Sequence, residues 1–317
     1  MEQVQECFKQ EIEKITRDVL AAGGDFRFAV VADSHLDNSI SKFLANISAV
    51  DNAVNFDCML HLGDFLNGSL SERYTRKILK EQIELYESAI KADFYPAQGN
   101  HDGFSNLKNP RTHDILPDEL WKDATGREPC YYIDYEEQKI RLVCVCSYDY
   151  TYENGVFDKI YGVRHDTIKW LYEEALNVEN DWTVIIFSHD SPFTEFPVDN
   201  IDETEYYVNG REQLDAVVRA KEERGFDIAA WFIGHRHDDF EQKLCGINFI
   251  MINSQTAYIA TLWDTINPQR NGKYFAELER NIGTVTEDLW DAVVLDKKER
   301  KIKLFRFGAG IDREVEY

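Results

Sequence analysis

The sequence predicts an α/β fold built around parallel strands, and three observations predict it. Short β-branched and aromatic runs alternate with stretches of helical spacing through the first hundred residues. Each of the first three runs stops at a polar cluster rich in Asp, His or Asn. Beyond residue 240 the patterning is almost all β, which points to a second, mixed or antiparallel sheet packed on the first.

Taken in order, residues 1–22 place Val4, Phe8, Ile12, Ile15, Val19 and Leu20 at helical spacing, ended by Gly23 and Gly24. This amphipathic helix is expected on the outside of the main sheet. Residues 26–32 (FRFAVVA) read as the first buried strand, stopping at Asp33-Ser34-His35. A helix over 39–54 follows, then a short strand over 58–62 that ends at Gly63-Asp64. His61, inside that strand, reads as a core histidine rather than a ligand. A helix over 70–92 leads to a strand over 94–97 and the turn Gly99-Asn100-His101-Asp102. In parallel sheets ligands gather outside the carboxyl ends of the strands, which is where each cluster sits.

Residues 103–128 are polar and irregular, with one short helix expected over 118–122 and a surface histidine at His113. Paired strands are expected over 131–134 and 140–146. The tyrosine-rich stretch 148–155 reads as a loop packed by its own rings, with contact to an organic group of a substrate as the alternative. A helix over 165–178 and a strand over 183–187 (TVIIF) end at Ser188-His189-Asp190. The loop 191–204 contains prolines. A helix over 210–223 leads to a strand over 227–233 and then Gly234-His235-Arg236-His237. Strand-like alternation sends Arg236 away from its two histidine neighbours. Further strands over 240–262, a loop-rich stretch over 264–287 and a hairpin over 288–307 complete the chain. No repeat or linker divides it, so a single domain over 1–317, with helix 1–24 packed on it, is expected.

The bulk numbers narrow the function. A chain of 317 residues, 44% hydrophobic, can bury a substantial core. Its 58 acidic residues outnumber the 35 Lys and Arg, for a formal net charge of -23, which repels nucleic-acid backbones and anionic membranes. No run approaches the roughly 18 apolar residues of a membrane span. The N-terminus lacks a basic start followed by an apolar core, and the six cysteines match no zinc-ribbon or C-x-x-C spacing. A cytoplasmic protein is the expectation.

Seven candidate ligands stand at strand ends: Asp33, His35, Asp64, Asn100, His189, His235 and His237. One ion takes about four to six ligands including water, so seven protein groups suit two ions. Mixed carboxylate and imidazole donors suit zinc, manganese or iron. Two cations about 3.5–4 Å apart need a shared ligand. Only a carboxylate has the charge and the second oxygen, and spacing leaves Asp33 and Asp64 equally open.

Asp33-x-His35, Gly63-Asp64, Gly99-Asn100-His101-Asp102, His189 and Gly234-His235-x-His237, in this order, resemble the full motif set of the calcineurin-like metallophosphoesterases. The resemblance spans residues 33–237. It implies two packed mixed β-sheets flanked by helices, a four-layer α/β/β/α sandwich. It also implies that Asp33, His35 and His237 hold one divalent or trivalent ion (Mn, Fe or Zn). Asn100, His189 and His235 would hold a second, and Asp64 would bridge the two. His101 would face the substrate phosphate as a catalytic group, with Asp102 supporting its imidazole. The implied activity is hydrolysis of a phosphate ester by a hydroxide that bridges the metals.

Family phosphoprotein phosphatases carry a Gly-Asp-x-x-Asp-Arg-Gly pattern, whereas this chain has Gly63-Asp64-Phe65-Leu66-Asn67-Gly68. The acidic surface weighs against the family's nucleases. Small phosphomonoesters, phosphodiesters or pyrophosphates remain as substrates. The segments 103–128, 148–160 and 191–209 are expected to border the pocket. The alternative is a catalytically weak or inactive metal-binding scaffold on the same fold.

Overall fold

A computed structural model describes residues 6–36, 40–105, 114–148, 161–257 and 278–317. Helix α1 (Glu6–Ala22) precedes strand β1 (Phe26–Val31), the centre of the first sheet. After β1 come α2 (Ile40–Val54), β2 (Cys58–His61), α3 (Glu72–Ala89) and β3 (Asp93–Pro96). β1, β2 and β3 pair in parallel, as the strand–helix alternation predicts. α3 buries Thr75, Leu79, Ile83 and Tyr86, one helical stripe, against that sheet.

A short helical turn α4 (Asn100–Gly103) and the two-residue strands β4 (Phe104–Ser105) and β5 (Asp114–Ile115) follow. Helix α5 (Asp118–Thr125) leads into the second sheet, which starts with β6 (Tyr131–Tyr135) and β7 (Ile140–Cys144). Then come α6 (His165–Trp170), β8 (Thr183–Phe187), α7 (Gly210–Arg224), β9 (Asp227–Ile233), β10 (Phe240–Leu244) and β11 (Ile247–Met251). The second sheet runs β10-β11-β9-β8-β7-β6, with β7, β8, β9 and β11 parallel and the two edge strands antiparallel.

The chain does not stay in the second sheet, contrary to the reading of its β-rich end. β12 (Leu289–Asp296), β13 (Lys301–Gly308) and β14 (Arg313–Glu316) return to the first sheet, β12 lying antiparallel on β1. The reason lies in β12, where Leu289 to Leu295 are all buried. Such a strand needs cover on both faces. Val293 and Leu295 turn inward, while Trp290, Ala292 and Val294 turn toward the helices. Helix α1 closes that outer layer, its Phe8 stacking on Phe307 at 6.1 Å.

Alternation along each strand builds the layers. Phe28 and Val30 of β1 meet Ile185, Phe187 and Phe232 between the two sheets. Ala29 and Val31 face α2 and α3. On the far side, Trp231, Ile186 and Phe249 pack under α6 and α7. Three apolar layers between four layers of structure make the α/β/β/α sandwich. The helix expected over 165–178 changes character after Trp170 and continues as a π-helical turn over Leu171–Ala175. The Leu176 N–H bonds Leu171 O at 2.9 Å, which places both buried leucines on one face. Among the stretches singled out above, His113, most of the tyrosine-rich loop, and residues 258–277 lie outside the described residues.

Candidate metal centre

The ends of β1, β2, β3, β8 and β9 converge at one edge of the sandwich and bring all seven candidate ligands together. Tight turns do this. Asp33, His35, Asp64, His235 and His237 all have positive φ, between 47° and 68°. That region is sparsely used by non-glycine residues and clusters at functional sites. Main-chain bonds between neighbouring turns hold the strain. Asp33 N donates to Gly63 O at 3.0 Å, His35 N to Asp64 O at 3.0 Å and Gly234 N to His189 O at 2.9 Å. The Asp64 and Asn100 turns touch back to back at Gly63 and Gly99. A Cβ on Gly99 would lie 2.2 Å from Asp64 N, so the close approach, rather than a special φ, demands glycine there.

Three groups of potential ligands result, the donor atoms of each within 4.8 Å of one another: Asp33, His35 and His237; His35, Asp64 and His101; and Asp64, His189 and His235. Asp64 reaches both sides. Its Oδ2 is 3.3 Å from His189 Nε2, 3.7 Å from His35 Nε2 and 3.8 Å from His101 Nε2. Asn100 Oδ1 joins the last group, 3.2 Å from His189 Nε2 and 3.0 Å from His235 Nδ1. Of the two carboxylates that the residue patterns left open, Asp64 lies closer to the histidine of the second group, His189, than Asp33 does.

The chemistry of the site calls for positive charge. Asp33 Oδ1 is buried and accepts no hydrogen bond, yet it faces His237, His35 and His189 Nε2 at 3.3, 3.7 and 3.9 Å. Burial works against its charge, but His237 and His35 hold Asp33 well below the usual carboxylate range. Asp64 is held down too, against its burial, by His189 and His101. Burial also opposes charge on His189, yet Asp64 and Asp33 hold its imidazole up at about 10. The ring nitrogens are sorted by their outer partners. His35 Nδ1 pairs with Leu66 O at 2.9 Å and His189 Nδ1 with Leu62 O at 2.7 Å, which turns each Nε2 to the centre. An orphaned carboxylate oxygen among imidazole nitrogens, with both carboxylates kept anionic, fits resident cations.

His101 stands at the rim, its ring 5.1 Å from that of His35. Gly68, at φ +66°, makes room for it, since a Cβ there would sit 2.5 Å from His101 Nδ1. Burial pushes the His101 imidazole down to about 4. Asp102 does not support that ring, which corrects the role inferred for it. Its Oδ2 accepts from Asp64 N at 2.9 Å and Gly99 N at 3.0 Å, and its Oδ1 from Leu66 N at 3.1 Å. Both oxygens accept from main-chain amides, so Asp102 ties the Asp64 turn to the Asn100 turn. Burial, with Asp64 close by, pushes its carboxyl up to about 7. His61 is the core histidine expected: its Nδ1 accepts from Gly63 N at 3.1 Å, its Nε2 meets Ser34 Oγ at 3.2 Å, and it stacks on Phe65. Arg236 lies in a bend rather than a strand, its N–H donating to Gly234 O at 2.8 Å.

Two neighbours of the centre were not singled out from the sequence. Asp190 Oδ2 lies 3.4 Å from His235 Nε2, and the Tyr207 hydroxyl donates to that same oxygen at 2.7 Å. For Asp190 the only signal was its position directly after His189. Tyr207 falls in the segment 191–209 expected to border the pocket, with nothing to single it out there.

A family model described as calcineurin-like phosphoesterase matches residues 26–239. Among solved structures, the chain is similar to a dimetal phosphatase from Danio rerio, with 15% identity, 93% of this chain and 100% of that chain covered, and a TM-score of 0.59. It is also similar to GAP50, described as the anchor in the inner membrane complex of Plasmodium, with 12% identity, coverage of 86% and 85%, and a TM-score of 0.48. No curated protein matches the chain significantly.

Proposed function

This chain belongs to the calcineurin-like phosphoesterase family, and from that premise we propose that it is a two-metal hydrolase of small phosphate esters. Asp33, His35 and His237 would hold one ion, Asn100, His189 and His235 the other, and Asp64 would serve both. The observation that carries the reading is the buried Asp33 Oδ1, which accepts no hydrogen bond yet faces three imidazoles, beside an Asp64 that reaches both ligand groups. Mixed oxygen and nitrogen donors suit manganese, iron or zinc. Such cations, when bound, acidify a water molecule and neutralise charge on a phosphoryl group.

The chain's own residues do the rest. The main-chain ties among the Asp33, Asp64 and Asn100 turns set the ligands before substrate arrives, so little reorganisation is left for the reaction. His101 lies 31% exposed at the rim and offers its ring to a phosphoryl or leaving-group oxygen. Asp102 keeps the turn carrying His101 in register with Asp64.

A formal charge of -23 favours small substrates over nucleic acid. Among the described residues no helix is long and apolar enough to cross a membrane. Six free thiols fit a reducing compartment such as the cytoplasm. The test is an activity panel of p-nitrophenyl phosphate, bis-p-nitrophenyl phosphate and cyclic nucleotides with added manganese. Turnover of at least one class that chelation abolishes is expected. Failure on every ester would leave a metal-binding scaffold.

A further inference from the structure

Three of the imidazoles proposed as ligands show how their outer nitrogens are held, and one differs from the other two. His35 and His189 turn theirs to backbone carbonyls. His235 turns its Nε2 to a carboxylate, Asp190 Oδ2, at 3.4 Å, while its Nδ1 faces Asn100 Oδ1 and His189 Nε2 at 3.0 and 3.2 Å. The contact is longer than the other two hydrogen bonds, but it is one of charge: a carboxylate there favours a proton on the nitrogen it faces and leaves the opposite nitrogen a more basic donor.

Asp190 is itself held firmly. It is 4% exposed, its Oδ1 accepts from Ser191 N at 2.8 Å, and its main chain exchanges two 3.1 Å hydrogen bonds with the Ser147 hydroxyl. Its Oδ2 accepts the Tyr207 hydroxyl at 2.7 Å. Tyr207 stacks on Tyr161 at 5.1 Å, and the Tyr161 ring centre is 5.9 Å from that of His235. The segment between β8 and α7 thus reaches the ligand set through one hydroxyl and one carboxylate.

Resting on the two-metal reading, we propose that Asp190 and Tyr207 are positioning residues for the ion on the His235 side. They fix the His235 ring with Nδ1 toward that ion and set its affinity separately from the ion held by Asp33, His35 and His237. An outer partner of this kind is worth about 10–100-fold in metal affinity.

The test is a cobalt titration of the metal-free protein, followed by calorimetry and by the visible spectrum of the bound ion. Wild type takes two ions. Asp190→Asn, which keeps the side chain's size and an acceptor for Ser191, weakens one ion by about 10–100-fold and alters its spectrum. The other ion's affinity and the melting temperature of the metal-free protein stay unchanged. Tyr207→Phe keeps the ring stack and loses only the hydroxyl, so it weakens the same ion to a smaller degree. It also stands in should Asp190→Asn fail to fold. Equal weakening of both ions, or none in either variant, overturns the proposal while leaving the two-metal reading intact. A wild type that takes one ion overturns that reading and the inference with it.

Discussion

On the Asp33 side of the centre, the ligands are placed by main chain. Asp33, His35 and Leu36 each donate their N–H to a carbonyl of the 63–65 turn, and Ser254 Oγ caps Asp33 O at 2.8 Å. Asp102 binds three amides of the neighbouring turns. On the His235 side, His189 is still held by main chain, at Leu62 O and Gly234 N, but His235 itself faces side chains, Asp190 and behind it Tyr207, borne on a long connection. The turn-held ligands therefore move only when their turns are disturbed, whereas the His235 ring is open to tuning by one neighbouring side chain. The first half is expected to fail as a unit, through stability. The second is expected to fail by degrees, through affinity.

The sharpest way to break this contrast is Asp102→Ala. It strips the acceptor from three amide hydrogens in a buried setting, for a cost of about 4 kcal/mol. Urea unfolding of the metal-free protein is expected to show that loss directly. A stability change below about 1 kcal/mol would mean the turns do not depend on Asp102.

Asp64→Asn tests the residue common to both halves. Losing its charge is expected to lower kcat by about 10²–10³-fold, the scale of removing one electrostatic group from a transition state, together with one bound ion. His101→Ala is expected to keep both ions and to lose about 10²-fold on esters with poor leaving groups, with less loss on p-nitrophenyl esters. If metal content fell along with activity, His101 would be a ligand, a role its 3.8 Å distance from Asp64 also permits.

A further effect concerns the ions as stabilisers. At about a hundredfold excess over the dissociation constant, each ion adds about 2.7 kcal/mol. Chelation is therefore expected to lower the melting temperature of wild type by several degrees, and that of Asp190→Asn by less.

Much of the site was legible in the sequence because strand periodicity places it. An apolar run that stops at Asp33, at Asp64 or at His189 announces both a strand and what its end presents. The helices were legible to within a few residues for a similar reason, as with the stripe Leu79, Ile83 and Tyr86 of α3. Asp102 was misjudged because its partners are amides, and which amides meet a carboxylate depends on turn geometry that residue types do not encode. The destination of β12 was missed because a strand buried on both faces fits either sheet. Only its pairing along β1, Phe28 against Val293 and Ala29 against Ala292, decides the matter. Asp190 reads in sequence as one more polar residue of a loop, and its role needs His235 brought alongside from a distant strand.

Whether one centre, gathered from five strand ends, holds two ions can be counted. The most direct measurement is the metal content of the purified chain at saturating manganese, by mass spectrometry against protein concentration. The expectation is two ions per chain, falling toward one in Asp190→Asn when manganese is made limiting. Saturation of wild type at a single ion per chain would contradict it.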